Sequence, residues 1–271
     1  MATSSLEICN IALLKIGADS ITALSDANKR ARLCTLLYDF MRKKLLRAHP
    51  WNFAIKRSFL QKVTDTSTSV NDGTDIFTSA AALNSVTGDT AIVTLTSGTI
   101  PTGISEDSTY YIIKTGTSAF KLAETQASAL ADTAIDITAN GVFNISLNIG
   151  APFGYSQKFT LPTDYIRAVK EEDKNREWKK EGSFILSNDS DFNLEYIYNV
   201  TDTTTFDPSF DELLAHLIAI ELAFPLNQSQ TLKDRLLDEW KNFSLKDARS
   251  FDAQEGTPDD LETNLWLNSR L

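Results

Sequence analysis

A break in composition constrains this chain more than any other feature. Between residues 65 and 150 lie 16 Thr and 10 Ser in 86 residues, with no Trp, Cys, His, Met or Arg. β-branched side chains crowd a helix and suit a pleated strand. Short apolar runs recur there, at 90–95, 110–113, 134–137 and 143–147. Turn residues separate them at Asn71-Asp72-Gly73, Thr87-Gly88-Asp89, Ser97-Gly98, Pro101-Thr102-Gly103, Gly116 and Asn140-Gly141. The spacing predicts a small antiparallel sandwich or barrel-like domain, with one helical piece around 123–131. Insertion at a surface loop costs little, because loop-closure entropy grows only logarithmically with length.

The flanks carry a different pattern. Ser4 and Glu7 form a capping box, and Leu6, Cys9, Leu13 and Ile16 follow at helical spacing. Gly17 is a suitable stop for this helix. A second, longer helix is predicted over 26–47, closed by His49-Pro50 because the residue before proline avoids the α region. Extended pieces follow at 157–161, 166–169, 183–186 and 194–198. Asp207 and Pro208 open a third helix as N-cap and first helical residue, with Pro225 closing it. A fourth helix is predicted over 229–251, with Leu232, Leu236, Trp240, Phe243 and Phe251 on one stripe. The expected fold class is α+β. Two helices from 1–64 and two from 206–251 form a four-helix bundle. A β-rich segment over 151–205, the inserted β domain 65–150 and an extended arm 252–271 complete it.

Charge is unevenly spread. Residues 1–64 hold 11 Lys/Arg against 4 Asp/Glu, the insert holds 2 against 9, and residues 151–271 hold 13 against 23, for a net −10. Neutralising phosphates requires concentrated cations at a contact surface, so specific nucleic-acid binding is not expected. A basic part meeting an acidic part of a neighbouring copy is consistent with this distribution. No apolar run approaches the ~18 residues of a membrane span, and no basic segment followed by an apolar stretch marks a secretory signal.

Catalytic patterns are missing from the sequence. There is no phosphate-binding glycine loop and no G-x-S-x-G elbow. Two dispersed cysteines and two histidines do not make a zinc site, so neither metal nor cofactor is expected. His49 reads as a packing or capping residue and His216 as a structural histidine in an apolar helix. Glu171, Glu172, Asp173, Glu177 and Glu181 alternate with lysines and an arginine, which describes a solvated face rather than an acid/base pair. The chain is therefore expected not to be an enzyme.

The second helix shows two apolar faces. One carries Ala27, Ala31, Cys34, Tyr38, Met41 and Leu45; the other carries Leu33, Leu36 and Phe40, mixed with Lys29, Lys43, Lys44 and Arg47. Two such faces need cover on two sides, either from the rest of the chain or from a neighbouring subunit. Glu221 falls inside the apolar third helix, where it either reaches water or pairs with Arg30 or Arg32. Leu265, Trp266 and Leu267, beyond the Gly256/Pro258 break, fit either a pocket on a partner or the chain's own core.

The flanks carry Leu6-Glu7-Ile8-Cys9-Asn10-Ile11-Ala12-Leu13-Leu14-Lys15-Ile16-Gly17, Leu46-Arg47-Ala48-His49-Pro50-Trp51-Asn52-Phe53-Ala54 and Phe206-Asp207-Pro208-Ser209-Phe210. Ala248-Arg249-Ser250-Phe251-Asp252-Ala253-Gln254-Glu255-Gly256 and Trp266-Leu267-Asn268-Ser269-Arg270 follow. Together these strings bear a resemblance to the tail tubular protein A family, the head-to-tail adaptors of short-tailed bacteriophages. It covers about 1–64 and 151–271, and the insert departs from the family's shorter form. The resemblance implies a homo-oligomeric ring, typically of twelve copies, between portal protein and tail nozzle protein. Such a ring continues the DNA channel, lets DNA pass without specific binding, and can hold tail fibres at its rim. It implies a virion location, host cytoplasm during assembly, and no membrane. Leu33, Leu36, Phe40, Lys43 and Arg47 would then form the subunit interface, and Leu265, Trp266 and Leu267 the portal-docking arm. The alternative is a virion-associated cell-wall hydrolase, or a receptor-binding module acting through the insert.

Overall fold

The computed structural model describes residues 4–138, 142–171 and 177–255. Along the chain run α1 (Ser5–Lys15), α2 (Lys29–Ala48), β1 (Ile55–Phe59), β2 (Thr64–Ser67), β3 (Ser69–Asn71) and β4 (Ile76–Thr78). Then come β5 (Thr90–Gly98), β6 (Thr109–Lys114), β7 (Ala119–Ala123), α3 (Gln126–Leu130), β8 (Phe143–Ile149), β9 (Gln157–Thr160) and β10 (Tyr165–Glu171). The rest is β11 (Trp178–Glu181), β12 (Phe184–Ser187), β13 (Asn193–Tyr198), α4 (Pro208–Asn227), α5 (Gln230–Glu239), a π-helical turn (Trp240–Ser244) and α6 (Leu245–Gln254). No helix among the described residues is long and apolar enough to cross a membrane.

Two compact units result. One comprises residues 1–56, 164–169 and 196–271; the other comprises 57–163 and 170–195.

The first unit is helical. The Ser4/Glu7 capping box forms, with Glu7 N donating to Ser4 Oγ and Ser4 N to Glu7 Oε2. At the other end of α1, Gly17 adopts a positive φ of 71°. Gly17 N donates to Leu14 O and Ala18 N to Leu13 O, the paired bonds of a Schellman stop. Asn28 caps α2 by accepting from Ala31 N, and Asp207 caps α4 by accepting from Ser209 N.

These helices do not make the expected four-helix bundle. A bundle needs each helix to give one stripe to a shared axis. Instead α4 is buried round most of its circumference, through Phe210, Leu213, Leu214, Leu217, Ile218, Ile220 and Leu222. It acts as the core itself, and α1, α2 and α5 each pack on it. The predicted fourth helix is divided into α5 and α6 by the π-helical turn. Among the described residues, three sheets of seven, three and three strands make the fold mixed and strand-rich. Pro225 also fails to end α4: the helix runs to Asn227 and stops where Gln228 turns left-handed. A proline in the last turn removes a single backbone bond, and Lys29 Nζ ties its carbonyl at 2.6 Å. Ile55, Ile166, Val169 and Tyr198, from the sheet ordered β1–β13–β10, pack on this helical core.

The second unit is built on an antiparallel sheet ordered β2–β8–β5–β6–β7–β4–β3. Its outermost strands, β2 and β3, are separated in sequence by Thr68 alone. Both edges of the sheet therefore come from one short segment, so the sheet must roll toward closure. Ser67 Oγ bridges the seam, donating to Ser69 O at 2.9 Å and Thr78 O at 2.7 Å. Val93, Ile112, Phe120, Leu122, Phe143 and Leu147 fill the interior with Phe77, whose ring stacks on Phe120 at 5.3 Å. At Gly98, where φ is +88°, a Cβ would lie 2.0 Å from Val142 O, so no side chain fits. The expected strand at 134–137 is irregular backbone. Ile137 is buried all the same, its N–H satisfied by Asp75 Oδ1 at 2.9 Å, and Ile135 N donates to Leu122 O.

The same unit takes in β9, β11 and β12, which form a sheet ordered β11–β12–β9. Phe184 of β12 packs on the core of the seven-stranded sheet. Lys158 of β9 reaches Asp89 at 3.2 Å.

Candidate functional site

The expected interface residues sit on α2, so the site is built from that helix outward. Its inner face buries Ala31, Cys34, Met41, Leu45 and Leu46. Arg42 lies on the same side and is only 2% exposed. Its guanidinium donates to Asn199 Oδ1 at 2.9 Å, to Val200 O and to Asp39 Oδ1 at 3.1 Å. A buried cation needs such partners, and they fix α2 to the segment that follows β13.

The outer face is free of the chain's own core. Leu36 is 72% exposed and Phe40 64%. Lys43, Lys44 and Arg47 continue outward from them, all exposed. Steps of four, three and four residues from Leu36 through Phe40 and Lys43 to Arg47 keep these side chains on one stripe. Leu33 differs: it is half-buried and packs against the core. Arg47 is tethered, its Nη1 donating to Ile166 O at 2.9 Å. The result is an apolar patch next to a cationic one. Each of Leu36 and Phe40 leaves unused roughly 1.5–3 kcal/mol of burial that a covering surface could recover.

At the C-terminal end of α2 a polar clasp holds the end of α6. The Asp252 carboxylate accepts from Asn52 N at 2.9 Å and lies 3.0 Å from His49 Nε2. Asn52 Nδ2 donates to Asp252 O, and Arg249 Nη2 to Ala48 O at 3.3 Å. The His49 ring also meets Trp51 edge-on at 4.7 Å. Burial holds the His49 pKa below its ordinary value, and the hydrogen bond to Asp252 opposes that shift. His49 thus packs locally, as its place before Pro50 suggests, and it also anchors a distant helix. The chain leaves this clasp toward residues 256–271. The expected docking residues Leu265, Trp266 and Leu267 lie outside the described residues.

Other residues singled out in the sequence have structural partners. Glu221 pairs with Lys233 of α5 at 3.3 Å, not with Arg30 or Arg32. Arg30 instead meets Asp19 at 2.7 Å. His216 is buried with Nδ1 3.3 Å from Ser244 Oγ, and burial lowers its pKa. Lys179 and Glu181 form an exposed pair at 3.0 Å, in keeping with a solvated face. Cys9 and Cys34 are buried free thiols that contact each other between α1 and α2. The hydrogen bond to Cys34 and burial push the Cys9 thiol far above its ordinary range.

Two features had little signal in the sequence. Arg42 belongs to a run of basic residues and is told apart only by its place on the inner face. Phe153 lies in a short irregular loop, where no periodicity indicates whether an aromatic ring is covered.

No protein-family model matches the chain, and no curated protein matches it.

Proposed function

We propose that this chain is a non-enzymatic subunit of a phage head-to-tail adaptor, forming a ring between portal and tail nozzle. The observation that carries the proposal is the outer face of α2, where exposed Leu36 and Phe40 adjoin Lys43, Lys44 and Arg47. A closed ring is built from heterologous contacts in which one patch meets a different patch on the next copy. An apolar-basic stripe on a chain of net charge −10 suits that arrangement, because acidic residues outnumber basic ones in the rest of the chain. The flank motifs support the same function. The clasp at Asp252 adds that a C-terminal arm would start from a fixed point beside α2. DNA would pass through the channel without being held, since an acidic wall repels phosphate.

The test is the double substitution Leu36→Asp with Phe40→Asp. Both side chains are exposed in the single chain, so its thermal unfolding should shift by no more than about 1 kcal/mol in equivalent stability. Two carboxylates in a desolvated contact should abolish ring formation on purified cognate portal, read by electron microscopy and light scattering. Rings formed as readily as by the unsubstituted protein would overturn the proposal.

A further inference from the structure

The seven-stranded sheet carries a cleft that shares no residue with the α2 stripe. It has a volume of about 310 Å³ and lies on the outer face of β5 and β6. Thr90 and Ile92 of β5 and Tyr111 of β6 form the floor, with Thr90 directly opposite Tyr111 in the ladder. Phe153 and Tyr155 form one wall and Asn188 part of another.

The wall is held in place. Gly150 N donates to Thr90 O at 2.9 Å, and Thr90 Oγ1 to Ala151 O at 3.1 Å. Gln126 Nε2 reaches Pro152 O at 3.1 Å, and Ala151 N closes a turn onto Tyr155 O at 3.2 Å. Ser156 N donates to Asn188 Oδ1 at 2.9 Å, which leaves the Asn188 amide NH₂ to donate. On this pinned loop Phe153 is 83% exposed. A phenylalanine left in water forgoes roughly 2 kcal/mol of burial, and a loop fixed at both ends cannot fold it away.

The lining restricts the ligand. Among the described residues no acidic or basic side chain lines the cleft, and a charged ligand losing its water there would find no counter-charge among them. An extended peptide would need an open strand edge to pair with. Both β5 and β6 are already paired on each side, in the order β8–β5–β6–β7. What remains is aromatic surface beside neutral hydroxyl and amide groups. A pyranose ring matches both, since its C–H face rests on an aromatic ring while its hydroxyl edge exchanges hydrogen bonds with Thr, Tyr and Asn. The volume is at the small end of ligand sites, which start at roughly 300 Å³. We infer that this cleft binds a neutral saccharide of one or two pyranose rings, stacked on Phe153 and Tyr111 and hydrogen-bonded by Asn188.

Saturation-transfer NMR on the full chain tests this. The probes are methyl β-glucopyranoside, methyl β-galactopyranoside and diacetylchitobiose, with glucose 6-phosphate as the charged control. Transfer is expected to the ring protons of at least one neutral sugar and not to the control. Phe153→Ala should weaken that sugar by about ten-fold without moving the thermal transition, because the ring makes little contact within the chain. Asn188→Ala should weaken it as well. Absence of transfer to every neutral sugar would overturn the inference. So would equal transfer to glucose 6-phosphate, or undiminished binding by Phe153→Ala. The cleft shares no residue with α2, so failure here leaves ring assembly as a separate question.

Discussion

Replacing Asp252 by alanine should loosen the C-terminal end of the helical unit. The Asp252 side chain is 9% exposed and accepts from Asn52 N and His49 Nε2 at 2.9 and 3.0 Å. Hydrogen bonds to a charged acceptor contribute roughly 1.5–3 kcal/mol each. Asn52 reaches solvent, so water can replace part of one bond, and the low end applies to both. The expected loss is about 3 kcal/mol, or roughly 10 °C in the transition of a unit this size. Asp252→Asn keeps an acceptor for Asn52 N and should lose only about 1 kcal/mol. The pH dependence separates the clasp from general damage. Burial lowers the His49 pKa, Arg249 and Arg167 lower it further, and Asp252 raises it. The folded value lies below the unfolded one, so the fold binds fewer protons than the unfolded chain. Stability from this group is complete above about pH 6.5 and is lost as pH falls through the folded pKa. Without the Asp252 carboxylate that pKa drops further, so Asp252→Asn should lose stability more steeply than the native protein below pH 6.5. His216 is shifted the same way but belongs to both proteins, so the comparison removes it. Thermal unfolding followed by circular dichroism from pH 5 to 8 is the assay. An Asp252→Ala transition within 1 °C of native at pH 8, or identical acid slopes for Asp252→Asn, would refute the reasoning.

Two further outcomes follow. Cys9 and Cys34 are fully buried, so a thiol-specific reagent should leave both unmodified in the native chain and label both once urea unfolds it. Deleting residues 257–271 leaves the clasp intact, so the truncated chain should melt like the full one yet fail to join portal-containing particles; normal incorporation would remove the arm from the docking role.

What could be read from the sequence follows the range of the forces involved. The Ser4/Glu7 box, the Gly17 stop and the Asp207-Pro208 start depend on groups within a few residues of each other, and each forms where the sequence places it. The strands at 90–95, 110–113 and 143–147 are present for the same reason, because alternation along a strand is a local property. The inner face of α2 was legible from its 3.6-residue period. The exposed stripe was legible only as a second face, since periodicity marks apolar residues and says nothing of what covers them.

The remaining features needed the tertiary structure. An all-apolar α4 fits a bundle or a solitary core equally well in one dimension, and only the packing of α1, α2 and α5 around it decides. Lys233 rather than an arginine of α2 reaches Glu221, because the turn after α4 brings α5 back beside it. Adjacent strands β2 and β3 lie at opposite edges of one sheet, an order no local signal encodes. Sequence alone determined the starts and stops set by neighbouring groups, at Ser4, Gly17 and Asp207, while Pro225, the single helix over 229–251 and the strand at 134–137 turned out otherwise. Pairing between residues far apart decided which surfaces close upon each other and which, like Leu36, Phe40 and Phe153, stay open, because contacts across long loops are selected by the packing of the whole chain.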